Sequence, residues 1–188
     1  MSRGDPKFAS EKAGLWRQHD YGKVYAHQNR SSDPSLSIAA SHEGSQLLQD
    51  LSQVLSEPFF LLYVLVVPRG GSSEGRYQSD ELSRREVDGI FERFGGFWDN
   101  DGRHSIWLRS HSDDATLVYD RHNLIYAYGP IGRFESLLIS LGYSMTLQLS
   151  LAFVHQHAYH QEFDDLEREL TTRFADRRSD LREGDENP

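Results

Sequence analysis

From Met145 to Phe153 apolar residues take every second place. Met145, Leu147, Leu149, Leu151 and Phe153 alternate with Thr146, Gln148, Ser150 and Ala152. A period of two is that of an extended chain with one face in a core, so the segment is predicted to be a long strand. The next positions on that face are His155 and His157, with Tyr159 and His160 just beyond. Imidazoles at the rim of a core face are the clearest candidate chemistry in the chain.

Other segments follow the helical period. Leu47, Leu48, Leu51, Val54 and Leu55 predict an amphipathic helix that starts near Ser41 and leaves at Pro58. Phe59–Val67 is a continuous apolar run between two prolines and predicts a central strand. A Gly- and Ser-rich loop, 69–78, follows it. Ser79 then caps a predicted helix that buries Leu82, Val87, Ile90, Phe91 and Phe94 and stops at Gly95-Gly96. His104–Arg109, Thr116–Tyr119 and Leu124–Tyr128 predict an antiparallel meander, with Asp120-Arg121-His122-Asn123 as a hairpin tip. A helix over 132–141 precedes the Met145 strand. Phe163, Leu166, Leu170 and Phe174 predict a last helix.

The order α-β-α-β-β-β-α-β-α lacks the strict βαβ alternation of a doubly wound sheet. It predicts an α+β single domain over 41–175, with about five mostly antiparallel strands and packed helices. A ferredoxin-like variant is one form it could take. Residues 1–40 are polar and are expected to be a flexible arm. Residues 176–188 are charged and are expected to be a disordered tail. An apolar content of 37%, below the usual ~45–50%, fits a chain with unpacked ends.

Charge narrows the partners. The net charge of −9 is uneven: residues 1–40 carry six bases and four acids, whereas 41–160 carry nine bases and fifteen acids. An acidic domain repels phosphate backbones, so nucleic acid is not expected, and a basic protein is the better partner. The longest apolar run has nine residues, too few to span a membrane as a helix. There is no cysteine and no apolar leader-like stretch, so the expected place is the cytoplasm.

Three sets of residues are candidate sites. His155 and His157 project to one side of a strand, and His160 and Glu162 could complete a site for Zn or Fe. Arg69, Arg76 and Ser79 surround the loop after the first central strand and could grip an anion. That loop is similar to a P-loop in its glycines but lacks the Lys and Ser/Thr, and its G-x-S-x-G at 71–75 stands too far from strand and helix for a nucleophile elbow. Trp98, Trp107, Arg109, Tyr119, Tyr126 and Tyr128 supply the residue types of interface anchors. Both faces of the meander are partly apolar, so either helices cover both or one face is a contact surface.

The leading expectation is a non-enzymatic macromolecule-binding module, of the inhibitor or immunity type, with no cofactor, acting as a monomer or homodimer. The alternatives are a metal-dependent enzyme or metal-binding protein built on the histidines, and a structural homo-oligomer subunit.

Overall fold

The computed structural model describes residues 5–28, 34–41 and 43–185. In chain order these form β1 (Phe8–Lys12), β2 (Leu15–Gln18), β3 (Val24–Gln28), β4 (Ser35–Ala39), α1 (Gly44–Gln53), β5 (Phe59–Leu65), β6 (Gly75–Gln78), α2 (Arg84–Asn100), β7 (His104–Ser110), β8 (Ala115–Tyr119), β9 (Leu124–Tyr128), α3 (Ile131–Ser140), β10 (Ser144–Met145), β11 (His155–His157), α4 (Asp164–Arg173) and β12 (Arg178–Ser179).

The α+β class holds, and the sheet is larger than the predicted five strands. It has nine, in the order β10-β3-β4-β9-β8-β7-β5-β6-β12, and a second sheet adds β11-β1-β2. Every neighbouring pair is antiparallel except β10 with β3. The strands that flank α2, β6 and β7, lie on either side of β5 and are both antiparallel to it, so they run parallel with a third strand between them, as in one split βαβ unit. The nine-strand order extends well beyond the four strands of a ferredoxin-like sheet.

The two faces of the large sheet differ. On one, Leu36, Ile38, Leu61, Tyr63, Ile106, Leu108, Leu117, Tyr119, Ile125 and Ala127 form a single buried core with apolar residues of all four α-helices. On the other, the cross-strand rows run Phe60–Arg109–Thr116–Tyr128–Ser35 and Leu62–Trp107–Val118–Tyr126–Ser37, and among the described residues the helices bury their apolar side chains in the core on the first face.

The expected arm is a correction. Its described residues give four strands, with Phe8, Ala9, Leu36 and Ile38 fully buried. Small residues and an exposed edge strand, β2, keep it polar in composition although it is folded. Residues 1–4 and 29–33 of that arm, and 186–188 of the expected tail, lie outside the described residues. The described part of the tail is also ordered: β12 pairs with β6, and Asp185 is buried against Arg76.

The long Met145 strand is a second correction. Only Ser144–Met145 pair with β3, and only His155–His157 pair with β1. The segment between them is an extended but unpaired strap, and Leu147 is fully exposed on it. Alternation reports an extended chain, and pairing needs a free strand edge, which the strap leaves behind after two residues.

Two helix boundaries also move. Ser83 rather than Ser79 caps α2, in a capping box with Glu86, and the helix runs through Gly95-Gly96. A Cβ on Gly95 would sit 3.0 Å from Ser45 Oγ, so this glycine permits close packing of α1 on α2. Asp99, one turn further on, accepts Ser45 N–H at 2.8 Å and so caps α1 from its neighbour.

Candidate metal centre

The turn between β8 and β9 fixes the first imidazole. Asp120 Oδ1 accepts the backbone N–H of His122 and of Leu124, both at 2.9 Å, which is the geometry of an Asx-turn. Asp120 Oδ2 lies 2.9 Å from His122 Nδ1. A carboxylate only accepts, so Nδ1 donates and Nε2 keeps its lone pair. A carboxylate behind a histidine in this way orients the ring and raises its basicity as a metal ligand.

β11 brings the other two. His155 and His157 sit at i and i+2 and share one side of the strand. His155 Nδ1 donates to the Phe153 carbonyl at 3.0 Å, which again leaves Nε2 free to bind. One nitrogen each from His122, His155 and His157 lies within 4.8 Å of the others. Their ring centroids are 5.4, 5.0 and 5.6 Å apart. Three imidazoles on one tetrahedral ion, with Zn–N bonds of about 2.0–2.1 Å, set their ring centres about 5 Å apart.

The floor of the site is Phe8, fully buried. Its ring packs on His122, His155 and His157 at 5.5, 5.3 and 5.4 Å. Beside it, Lys7 is buried and donates to the Trp98 and Asp120 carbonyls at 2.9 and 3.1 Å. Burial lowers the Lys7 ammonium to about 8 against the opposing pull of Asp99, Asp120 and Asp101. Burial, then the charge of Arg121, then His122, His155 and Lys7, push His157 down to about 2. The ring is therefore neutral at physiological pH, the form that binds metal. His157 Nδ1 is buried and has no hydrogen-bond partner among the described residues.

His155 and His157 come together as predicted, but their third partner is His122 and not His160. His160 turns its Nε2 to the Asp5 carbonyl at 2.8 Å, and Glu162 is exposed in the short turn before α4. His122 carried a sequence signal: an Asp two residues before a His, in a turn, is the pattern of a carboxylate-oriented ring. Lys7 and Phe8 gave none, because they lie in a segment without periodicity.

The predicted anion loop is filled from within. Glu167 of α4 accepts the backbone N–H of Arg69, Gly70 and Ser72 at 3.0, 2.9 and 3.3 Å. Arg69 faces Asp164, Arg76 pairs with Asp185, and Ser79 Oγ is used on the Leu61 N–H and the Asp80 carbonyl. The six aromatic and arginine candidates separate into two groups. Trp98 and Tyr119 are buried in the helix-side core, Tyr119 with its hydroxyl on Asp99 and Asn123. Trp107, Arg109, Tyr126 and Tyr128 share the other face of the sheet, where Arg109 pairs with Asp114.

No family model, curated protein or solved structure matches this chain. The functional reading is therefore built on the arrangement of these side chains. No helix among the described residues is long and apolar enough to cross a membrane.

Proposed function

We propose that this protein binds a divalent transition-metal ion, Zn²⁺ or Fe²⁺, through His122, His155 and His157. The observation that carries this is the convergence of three imidazoles from two different sheets, two of them with Nδ1 committed as a donor so that Nε2 is left to ligate. Neutral nitrogen donors suit both ions. The Asp120 carboxylate supplies the outer-shell contact that such sites use. Equilibrium dialysis of the purified chain against Zn²⁺ should give one bound equivalent. His122→Ala, His155→Ala and His157→Ala should each reduce binding to background, and His160→Ala should leave it intact. A wild-type chain that retains no Zn²⁺ overturns the proposal.

A second reading, the macromolecule-binding module, is supported by the sheet face opposite the helix-side core, on which Trp107, Tyr126, Tyr128 and Arg109 line up across three strands. Its partner would be a basic protein. A Trp107→Ala/Tyr128→Ala variant should lose a stoichiometric partner that His157→Ala keeps. A wild-type chain that holds no such partner, or a double variant that keeps it, removes this reading.

A further inference from the structure

We infer that the three-histidine centre takes an anionic oxygen ligand, a carboxylate or phosphate group, held between the fourth position of the metal and the guanidinium of Arg121. This rests on the metal reading above and goes beyond it by naming what the ion would bind.

The ligand set is the first argument. Closed structural zinc sites have four protein ligands, whereas three nitrogens leave a position for water or a ligand. All three donors are neutral, so the ion keeps its full double charge. The Asp120 carboxylate behind His122 is already used by that ring and by two backbone N–H groups.

Arg121 supplies the second. It precedes His122 on the β8–β9 turn and donates through Nη2 to the Tyr159 hydroxyl at 2.7 Å. Tyr159 lies two residues past His157. The guanidinium thus spans the two segments that carry the imidazoles. Its Nε is buried and has no hydrogen-bond partner among the described residues. A buried donor on a cation is costly to leave unpaired, and native structures fill such gaps with water or an ion.

Charge supplies the third. A dication at the imidazoles would stand near two fixed positive groups, Arg121 and Lys7, both of which act on His157. An anion bound to the metal offsets that repulsion and gives Arg121 Nε an acceptor. Arginine suits planar or tetrahedral oxyanions because it can donate two parallel hydrogen bonds.

The test uses the full-length chain loaded with Co²⁺, whose visible absorption reports the ligands of the ion. Acetate and inorganic phosphate are titrated separately at constant ionic strength, with perchlorate as the control. For wild type, the bands of the bound ion should shift on titration with at least one of the two, and the tighter of them identifies the group. Arg121→Gln should load Co²⁺ at least as tightly as wild type but bind that anion about 10–100-fold more weakly, the loss of one charge-assisted contact. Arg121→Lys, which restores the charge without the fork, should fall between them and guards against a folding defect in the first variant. A wild-type chain with no Co²⁺ bands ends the metal reading itself. Bands that no anion moves, or that move equally in wild type and Arg121→Gln, leave the metal reading standing and overturn this one.

Discussion

Two polar clusters meet at Gly102, and one is closed while the other is open. In the first, Arg103 is fully buried and all five of its N–H donors are used. Nε and Nη2 reach the two oxygens of Asp101 at 2.8 and 2.9 Å, Nη1 reaches Glu167 and Asp164 at 2.6 and 3.1 Å, and Nη2 also reaches the His160 carbonyl at 2.8 Å. Burial lowers the affinity of Arg103 for its proton, but the hydrogen bonds to Asp101 and Glu167 outweigh it and hold the group above its ordinary value. The second cluster is separated from it by a glycine. A Cβ on Gly102 would lie 2.9 Å from His157 Cβ. There, His157 Nδ1 and Arg121 Nε are buried without partners among the described residues, and one nitrogen from each of three rings lies within 4.8 Å of the others. Withdrawal of polar groups from solvent, full in the first cluster and partial in the second, has produced a saturated network in one place and unspent capacity in the other. The first tethers α4 and the 69–72 loop to β7. The second has the features of a binding site.

The largest effect should come from breaking the closed cluster. Arg103→Met leaves Asp101 and Glu167 buried without a cation, which typically costs about 3–5 kcal/mol. Urea unfolding should show that loss, and Zn²⁺ binding by the fraction that remains folded should be unchanged. The converse experiment loads the open cluster. Zn²⁺ at about one hundred times its dissociation constant should stabilise the fold by about 2.7 kcal/mol, or several degrees in melting temperature for a chain of this size. His157→Ala should abolish that increment, and Arg103→Met should retain it. If both clusters respond to metal, or neither does, the contrast between them is wrong.

A smaller effect separates ligand from support. Asp120→Asn keeps an oxygen for the turn N–H groups but replaces the acceptor behind His122 with an amide. Zn²⁺ affinity should fall about 10–100-fold, as for other outer-shell carboxylates, with little loss of fold. Competition with a coloured chelator would measure it. A loss as complete as that of His122→Ala would make Asp120 a ligand in its own right.

The difference between the clusters also explains what the sequence made legible. The meander, the Phe59 strand and the helix faces were readable because each buries a whole periodic face. His155 and His157 were readable as a pair because a strand puts i and i+2 on one side. The partner from another element was not. His122 enters through the tertiary fold, and the Asp120-x-His122 signal in its hairpin tip does not say which element the ring will meet. The strap misled for the opposite reason. Its alternation is real, but Leu147 is fully exposed, whereas Phe153 stacks on His19 at 4.2 Å and packs on Phe8 of the small sheet at 6.0 Å. The N-terminal strands escaped because β2 exposes all four residues and so carries no burial pattern. The Glu167 plug of the 69–72 loop is 95 or more residues away in sequence, beyond any local motif.

The finest test of the contrast is pH, because the two clusters should lose their contribution in different windows. His157 is held at about 2, and His104, buried between Tyr63 and Phe97, is held well below its ordinary value by burial and the charges of Lys7, Arg103 and Arg121. A folded-state value below that of the unfolded chain means that the unfolded chain takes up the proton first. The stability these rings contribute is complete above about pH 6.5 and declines as pH falls below it, by up to about 1.4 kcal/mol per pH unit for each histidine. Glu167 is also held below its ordinary value, where the Arg69 and Gly70 N–H groups and Arg103 outweigh burial. Its contribution persists until the pH falls through the ordinary carboxylate range, near 4, and is lost only below that. Urea unfolding of the metal-free chain should therefore show a decline that begins near pH 6.5 and continues as the pH falls, and a second, added decline below about 4. His157→Phe should flatten part of the first and leave the second in place, whereas Glu167→Gln should do the reverse. A single decline confined to the acid side of pH 4 would mean that the imidazoles are not held neutral, and the open cluster would lose the property that fits it for a metal.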